Sequence, residues 1–216
     1  RYKSKPPAML LTHPLPESRI SDARIRAQNY SPRPLAPSLQ FELAKARITA
    51  RYEGNAKDHV INFQQMLDKK HYAIEAAAKY GLALAHYENK DYQIAVNQLE
   101  ALLNDDSRNL FYVDALTDAY IAVKAYDKAI TMLTELKLLM PNNQVVTLNL
   151  ANALTEAKQY EKAEVLLQDF LVVSPGNFIA NDLLTQIYRR QDKMALMHAT
   201  KAEVYALLGA YPKAVD

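Results

Sequence analysis

Histidine is the side chain in this sequence best suited to bind a metal or to move a proton near neutral pH. The chain has five, at scattered positions: His13, His59, His71, His86 and His198. None has a second His three or four residues away, the spacing that places two zinc ligands on one face of a helix. The chain also has no Cys, no HExxH motif, no Gly-rich phosphate loop and no nucleophile elbow. The residues therefore predict no self-contained active site and no cofactor bound within this chain.

The individual polar candidates have structural interpretations. His86 lies midway between Tyr52 and Tyr120 in the sequence, in a series of positions where Tyr recurs, which favours a half-buried packing role over a ligand role. The acidic pair Asp105 and Asp106 lies at a predicted loop and is more typical of helix capping than of acid–base catalysis. Three further histidines are predicted to be solvated residues on helix surfaces: His59, His71 and His198.

Charge and composition exclude several classes of partner. The 216 residues include 26 basic and 24 acidic side chains, a formal net charge of +2. Nucleic-acid-binding domains carry a clear basic excess, so the balance predicts no nucleic-acid partner. No apolar run approaches the roughly 18 residues of a membrane-spanning helix. Seven of the 10 prolines lie between Pro6 and Pro37, which predicts an extended Pro-rich arm over residues 1–40 with one short helix, Glu17–Asn29.

From residue 41 onward, four landmarks return at one constant interval. They are Tyr92, Tyr126 and Tyr160; Ala95, Ala129 and Ala163; Leu99, Leu133 and Leu167; and Ile48, Leu82, Leu116, Leu150 and Leu184. A 34-residue period with this pattern is that of tetratricopeptide repeats, in which helical hairpins stack side by side. The sequence thus predicts an all-α solenoid over residues 41–216, with about four or five repeats.

The repeats are predicted at 42–75, 76–109, 110–143 and 144–177, with a weaker one from 178. The first is expected to be degenerate, because Ile61 and Gln65 stand where later repeats have Ala and Leu. Pro141 and Pro175 each precede an Asn by two residues, which we interpret as a helix stop followed by a turn. Another helix begins near Tyr211, so we expect the array to be truncated at its C-terminal end.

In tetratricopeptide arrays the first helix of each repeat lines the concave face. The period places aromatic, amide and charged side chains there, and we expect Tyr80, Tyr87 and Phe111 to present large rings to solvent. The mixture suits a polypeptide partner. It lacks the Lys and Asn pattern that clamps chaperone tails, since only Asn152 matches. The predicted binding residues are Tyr80, Leu84, Tyr87, Phe111, Asp114, Asp118, Asn152, Gln186 and Arg189.

The arm carries a more specific signal. Its string Thr12-His13-Pro14-x-Pro16-x-x-Arg19-Ile20 resembles the end of the peptidase domain of M48-family zinc metallopeptidases, some of which carry a helical-repeat domain. The resemblance extends over the whole chain. It implies a longer parent protein in the periplasm of a Gram-negative bacterium, with a zinc-binding HExxH motif outside this chain. It also implies partners: the outer-membrane β-barrel assembly machinery, its substrates and the parent's own peptidase domain.

Two interpretations of His13 remain open. The resemblance places it near the active site of the peptidase, as a ligand or gate of the zinc ion. Its position beside Pro14 favours a conformational role in a tight turn instead.

Three functions are compatible with these patterns. The first is a non-catalytic protein-binding domain of such a peptidase, active in outer-membrane protein assembly and quality control. The second is a self-contained enzyme using His13 and Glu17, although no second convergent ligand accompanies them. The third is a generic tetratricopeptide adaptor or scaffold with no link to a protease.

Overall fold

The computed structural model describes residues 16–28, 30 and 35–215. The chain divides into two compact units, 1–36 and 37–216. In the first unit, the short helix predicted over Glu17–Asn29 is confirmed as α1, Pro16–Gln28, and it begins with Pro at a position that needs no hydrogen-bonded N–H. Within the described residues, no helix is both long and apolar enough to cross a bilayer.

The second unit consists of five helical hairpins and a short final helix. The first helices of the hairpins are α2 (Leu39–Tyr52), α4 (Glu75–Glu88), α6 (Leu110–Ala122), α8 (Gln144–Glu156) and α10 (Phe178–Arg190). The second helices are α3 (Ala56–Asp68), α5 (Tyr92–Asp105), α7 (Tyr126–Leu139), α9 (Tyr160–Val173) and α11 (Met194–Leu207). The last helix is α12, Tyr211–Val215. The described residues form no strand, and the predicted all-α solenoid is confirmed; its first helix begins at Leu39, two residues before the predicted start at 41.

The 34-residue period arises from a repeated packing scheme. The helices α5, α7, α9 and α11 begin one period apart and have equal lengths. The recurring leucines Leu82, Leu116, Leu150 and Leu184 are all buried. The recurring alanines Ala95, Ala129 and Ala163 are fully buried, so small side chains stand where neighbouring helices approach each other closely.

The ends of the helices repeat as well. Asn109, Asn143 and Asn177 are N-caps, and the side chain of Asn143 accepts a hydrogen bond from the N–H of Val146 at 3.2 Å. Asn143 and Asn177 thus start helices, a more specific role than the turn residue that we predicted. Between first and second helices, a residue at positive φ ends each first helix from α4 to α10: Lys90, Lys124, Lys158 and Asp192. The N–H that follows each of them bonds back over five residues, the pattern of a Schellman cap.

The first hairpin departs from this scheme. Helix α3 begins two residues earlier than the period requires, and Phe63 becomes its buried aromatic residue, packed against Gly81 of α4. Ile48 occupies the recurring leucine position but is 53% exposed. The prediction that His59 is solvated is wrong: its ring is buried and hydrogen-bonded to the carbonyl of Glu53. The turn between α2 and α3 has three residues, as between α4 and α5, and the offset of this hairpin arises from the loop between α3 and α4, which is two residues longer than the loop between α5 and α6.

Candidate functional site

The first helices place equivalent residues in a row along one face of the solenoid, which we call the inner face. Leu84, Asp118, Asn152 and Gln186 are spaced by one period on α4, α6, α8 and α10. The repeats have equivalent boundaries, so these positions project from the same side of successive hairpins. The side chains in this row change from apolar to acidic to amide along the chain, so the inner face offers different chemical groups at its two ends.

At the start of this face, two predicted binding residues lie in the core instead. Tyr80 and Leu84 are each 0% exposed. The prediction that the ring of Tyr80 faces solvent is wrong, because α2 packs on α4 and covers this part of the face. The ring of Tyr80 lies edge-on to Phe111, with centroids 6.1 Å apart, and 5.7 Å from the ring of Tyr112. Tyr87 and Phe111 are half-buried, so neither presents its whole ring to solvent. Burial raises the pKa of Tyr80 to about 12.

An arginine of α2 crosses from the first repeat to the third. The guanidinium of Arg47 donates to Asp114 Oδ2 at 2.7 Å and to the hydroxyl of Tyr80 at 2.9 Å. It also lies over the ring of Phe111, 5.1 Å from the ring centroid. A planar guanidinium can combine hydrogen bonding with stacking, as it does here. Phe111 and Asp114, both predicted to bind a partner, are thus already contacted by Arg47.

Arg51 makes a similar bridge one turn further along α2. It pairs with Asp118 Oδ2 at 2.7 Å and with Glu88 Oε1 at 3.5 Å, and lies 5.7 Å from the ring centroid of Tyr87. Burial raises the pKa of the Asp118 carboxyl above its usual value, and the hydrogen bond from Arg51 offsets only part of the rise. We call Arg47, Arg51, Asp114 and Asp118 the arginine clasp.

The arginine clasp was missed by the sequence analysis. Its partners are 67 residues apart in the chain, as the pair Arg47 and Asp114 illustrates. No repeat-based register links position 47 to position 114. One signal was available: both arginines stand four residues apart on one helix face, as do the two aspartates.

The remaining predicted residues lie beyond the clasp. Asn152 of α8 is half-buried. The side-chain amide of Gln186 donates to Asp182 at 2.8 Å, so it is held in one orientation. Arg189 is exposed, and its neighbour Arg190 pairs with Glu156 at 2.8 Å. We call Asn152, Gln186 and Arg189 the open half of the inner face.

A cavity of about 380 Å³ lies between α2, α3 and α4. Its lining includes the apolar side chains of Phe63, Met66 and Ile74, together with His59 and His71. The described residues contain no group of three or more His, Cys, Asp or Glu side chains placed to hold a metal ion. His13 lies outside the described residues, so its zinc-binding role stays a prediction.

Comparison with known proteins agrees with the geometry. The sequence pattern of the tetratricopeptide repeat family matches residues 120–171, which include the whole of α7 and α8 and most of α9. The fold is a tetratricopeptide-repeat solenoid. The repeat solenoid also resembles a thermophilic tetratricopeptide protein of Thermus thermophilus, with a TM-score of 0.62, 17% identity, and coverage of 82% of this chain and 99% of that one. MamA from Desulfovibrio magneticus RS-1 gives a TM-score of 0.58, with 16% identity and coverage of 79% and 95%.

Curated relatives are similar over this entire chain. The beta-barrel assembly-enhancing protease of Yersinia pestis is 36% identical over 215 residues, and that of Escherichia coli K12 is 34% identical over 216. A putative beta-barrel assembly-enhancing protease of Vibrio cholerae is 39% identical over 217 residues. The chain spans 44–45% of the length of these relatives. The resemblance stated from the arm and the repeats is thereby confirmed, and it concerns the repeat-containing part of longer proteins.

Proposed function

We propose that this chain is the protein-binding, non-catalytic part of a periplasmic zinc metallopeptidase that assists the assembly and quality control of outer-membrane β-barrel proteins. The observation that carries the proposal is the open half of the inner face. There, half-buried amides and an exposed cation line successive first helices of a repeat solenoid. Such a surface suits a polypeptide partner, because amide side chains can bond to its backbone while the rigid helices fix their positions.

The partner follows from the similarity to curated relatives. Proteins named beta-barrel assembly-enhancing protease match this chain throughout, so the outer-membrane barrel-assembly machinery and its stalled substrates are the partners that we propose. In this proposal the chain binds the assembly machinery and its substrates in the periplasm. The parent's own peptidase domain is a third partner, since the chain accounts for less than half of the relatives' length.

The peptidase chemistry is assigned to the parent protein outside this chain. The described residues do not fit a zinc site, and we derive no catalytic step from them. When bound to the parent, zinc would supply an activated water for peptide hydrolysis. The purified chain is expected to leave casein intact with or without added zinc, and cleavage that a chelator blocks would contradict this assignment.

The binding proposal can be tested by site-specific cross-linking in the parent protein. A photoreactive side chain at Asn152 or Gln186 is expected to cross-link to the barrel-assembly machinery or its substrates in cells. Asn97, on the exposed surface of α5, is the matched control and is expected to give no such product. The measurement is the identity and the yield of the cross-linked species at the three positions.

Affinity provides a second measurement. Asn152→Ala with Gln186→Ala removes both amides from the open half and is expected to weaken capture of the cross-linked partner at least about tenfold, or ~1.4 kcal/mol. Neither side chain lies in the core, so the fold should be retained. Equal cross-linking from Asn97, or unchanged capture by the double variant, would favour a scaffold without a peptide site.

A further inference from the structure

The second helices of three successive repeats end in exposed apolar side chains. Leu138 and Val172 occupy the same position of their repeats, and each is 81% exposed. The next position holds Leu139, Val173 and Leu207, and these are exposed too. We call this set the outer strip; its members are Leu138, Leu139, Val172, Val173, Leu207 and Leu208.

The hairpins do not need these apolar residues. Helix α5 has the same length as α7 and α9, yet it carries Asn104 and Asp105 at the equivalent positions. The second repeat therefore serves as an internal control: the hairpin forms with polar residues at its outer end. Exposed apolar residues that cluster on a protein surface usually mark an interaction site. We therefore interpret the outer strip as a candidate interaction site.

The strip is continuous between the fourth and fifth repeats. A Cβ atom placed on Gly176, in the turn after α9, would lie 3.8 Å from Cδ2 of Leu207. The turn that follows Val172 and Val173 thus lies against the end of α11. The apolar ends of these two helices therefore belong to one surface.

An acidic row accompanies the strip. Glu135, Asp169 and Glu203 are spaced by one period, all are exposed, and each lies one turn before the apolar end of its helix. Residues three and four apart share a helix face, so each acidic side chain borders the apolar ones. Within residues 16–28, 30 and 35–215, none of these carboxylates forms an ion pair.

We propose that the outer strip binds an amphipathic helix of a partner protein, one that has an apolar face and a row of Lys or Arg along one flank. The apolar face would cover the strip and the basic flank would meet the acidic row, which gives the complex its orientation. This site lies on the second helices, whereas the open half of the inner face lies on the first helices. It does not depend on the function proposed above.

Charge decides between this occupant and two others. An anionic lipid surface attracts basic segments and is repelled by a row of carboxylates. A second copy of this chain offers the same apolar and acidic rows, so two strips that face each other would bring like charges together. Its exposed lysines at one-period spacing, Lys90, Lys124 and Lys158, lie in the turns between first and second helices, at the opposite ends of the hairpins from the strip. A helix with a basic flank satisfies both features of the surface.

The test uses two synthetic helical peptides of about 27 Å, or roughly 18 residues. Both have Leu on one face; one has Lys and the other Glu along the flank. Binding to the intact chain is measured by fluorescence anisotropy. We expect the Lys peptide to bind at least about tenfold more tightly than the Glu peptide. Glu135→Lys with Asp169→Lys should reverse this preference, and Leu138→Ser with Val172→Ser should weaken binding of the Lys peptide at least about tenfold. The control Asn104→Ser should change nothing.

Several results would overturn the proposal. Equal binding of the two peptides, or binding that the strip substitutions leave unchanged, would remove the charge argument or the site. Self-association seen by sedimentation, abolished by Leu138→Ser with Val172→Ser, would make a second copy the occupant. Co-sedimentation with phosphatidylglycerol-containing vesicles, lost in the same variant, would make it a lipid surface. Circular dichroism of each variant should match the parent chain, because the substituted side chains are outside the core.

Discussion

Gly81 lies in the middle of α4, and the effect of Gly81→Ala on the free energy of unfolding can be worked out from its neighbours. It faces Phe63 of α3, and a Cβ atom there would overlap three atoms of the Phe63 ring. Gly81 does not adopt positive φ, so its role is to permit close approach of the two helices. We therefore predict that Gly81→Ala destabilises the first hairpin and its contact with α4.

Two opposing effects set the magnitude. Alanine is favoured over glycine in a helix interior by about 1 kcal/mol. Overpacking a filled core costs about 1–3 kcal/mol. The upper end applies here, because all three overlapping atoms belong to one rigid ring, and Phe63 is only 6% exposed. The net loss in the free energy of unfolding is thus about 2 kcal/mol.

A double-mutant cycle with Phe63→Ala isolates the contact. Phe63→Ala alone should cost about 3–5 kcal/mol, but Gly81→Ala should then stabilise by about 1 kcal/mol, since only the helix preference remains. The coupling energy is about 3 kcal/mol. Urea unfolding gives the stabilities, and amide exchange in α3 and α4 reports the loss locally, because repeats can open separately.

Gly176→Ala is the matched control. A Cβ at that position makes an ordinary contact, 3.8 Å from Leu207, so the change should stabilise by less than about 1 kcal/mol. If Gly81→Ala stabilised the parent chain, or had the same effect with and without the Phe63 ring, the ring could not occupy the space beside α4.

Three further predictions address the caps and the buried tyrosine. Asn143→Ala removes the side-chain acceptor for the N–H of Val146 and should lower the urea-derived free energy of unfolding by about 1 kcal/mol, whereas Asn143→Asp should retain most of it; equal losses would exclude the cap. Lys124→Gly relieves a non-glycine residue at φ 61° and should stabilise by up to about 1 kcal/mol, whereas Lys162→Gly, within α9, should destabilise by about as much. Burial raises the pKa of Tyr80 to about 12, so the folded chain keeps this proton when the unfolded chain loses it, and stability should fall as pH rises from about 10 to 12. Alkaline unfolding should show a shallower pH dependence for Tyr80→Phe; identical slopes would mean that the hydroxyl titrates normally.

The repeat architecture could be predicted because small and large apolar residues recur at fixed positions in each repeat. Alanine at 95, 129 and 163 marks where helices touch, and leucine at 82, 116 and 150 marks the buried side of each first helix. Both requirements are local to one hairpin and its neighbour, so they recur with the chain period. From the second repeat onward these recurring alanines and leucines have equivalent burial, and the period was sufficient to place them.

Exposure on the inner face could not be predicted in the same way. A register fixes the direction in which Tyr80 points, but what lies over it depends on α2, which belongs to another repeat. The ring of Tyr80, which we expected to be an exposed anchor for a partner, is instead covered by the guanidinium of Arg47. Burial on a concave surface is set by how closely neighbouring repeats approach, and the period contains no information on that distance.

The arginine clasp limits where a partner can bind. To reach Asp114 or Asp118, a ligand must displace a guanidinium at 2.7 Å. Displacement would leave Arg47 without a carboxylate, or leave Arg51 with only the longer contact to Glu88 at 3.5 Å, and a poorly paired charge in a partly buried site is unfavourable. The clasp also links α2 directly to α6, so displacement would strain the first three repeats together. A ligand that binds at Asn152 or Gln186 displaces neither arginine of the clasp. Because this face uses first helices and the outer strip uses second helices, the two proposed sites can be altered independently, and a variant that weakens one should leave the other intact.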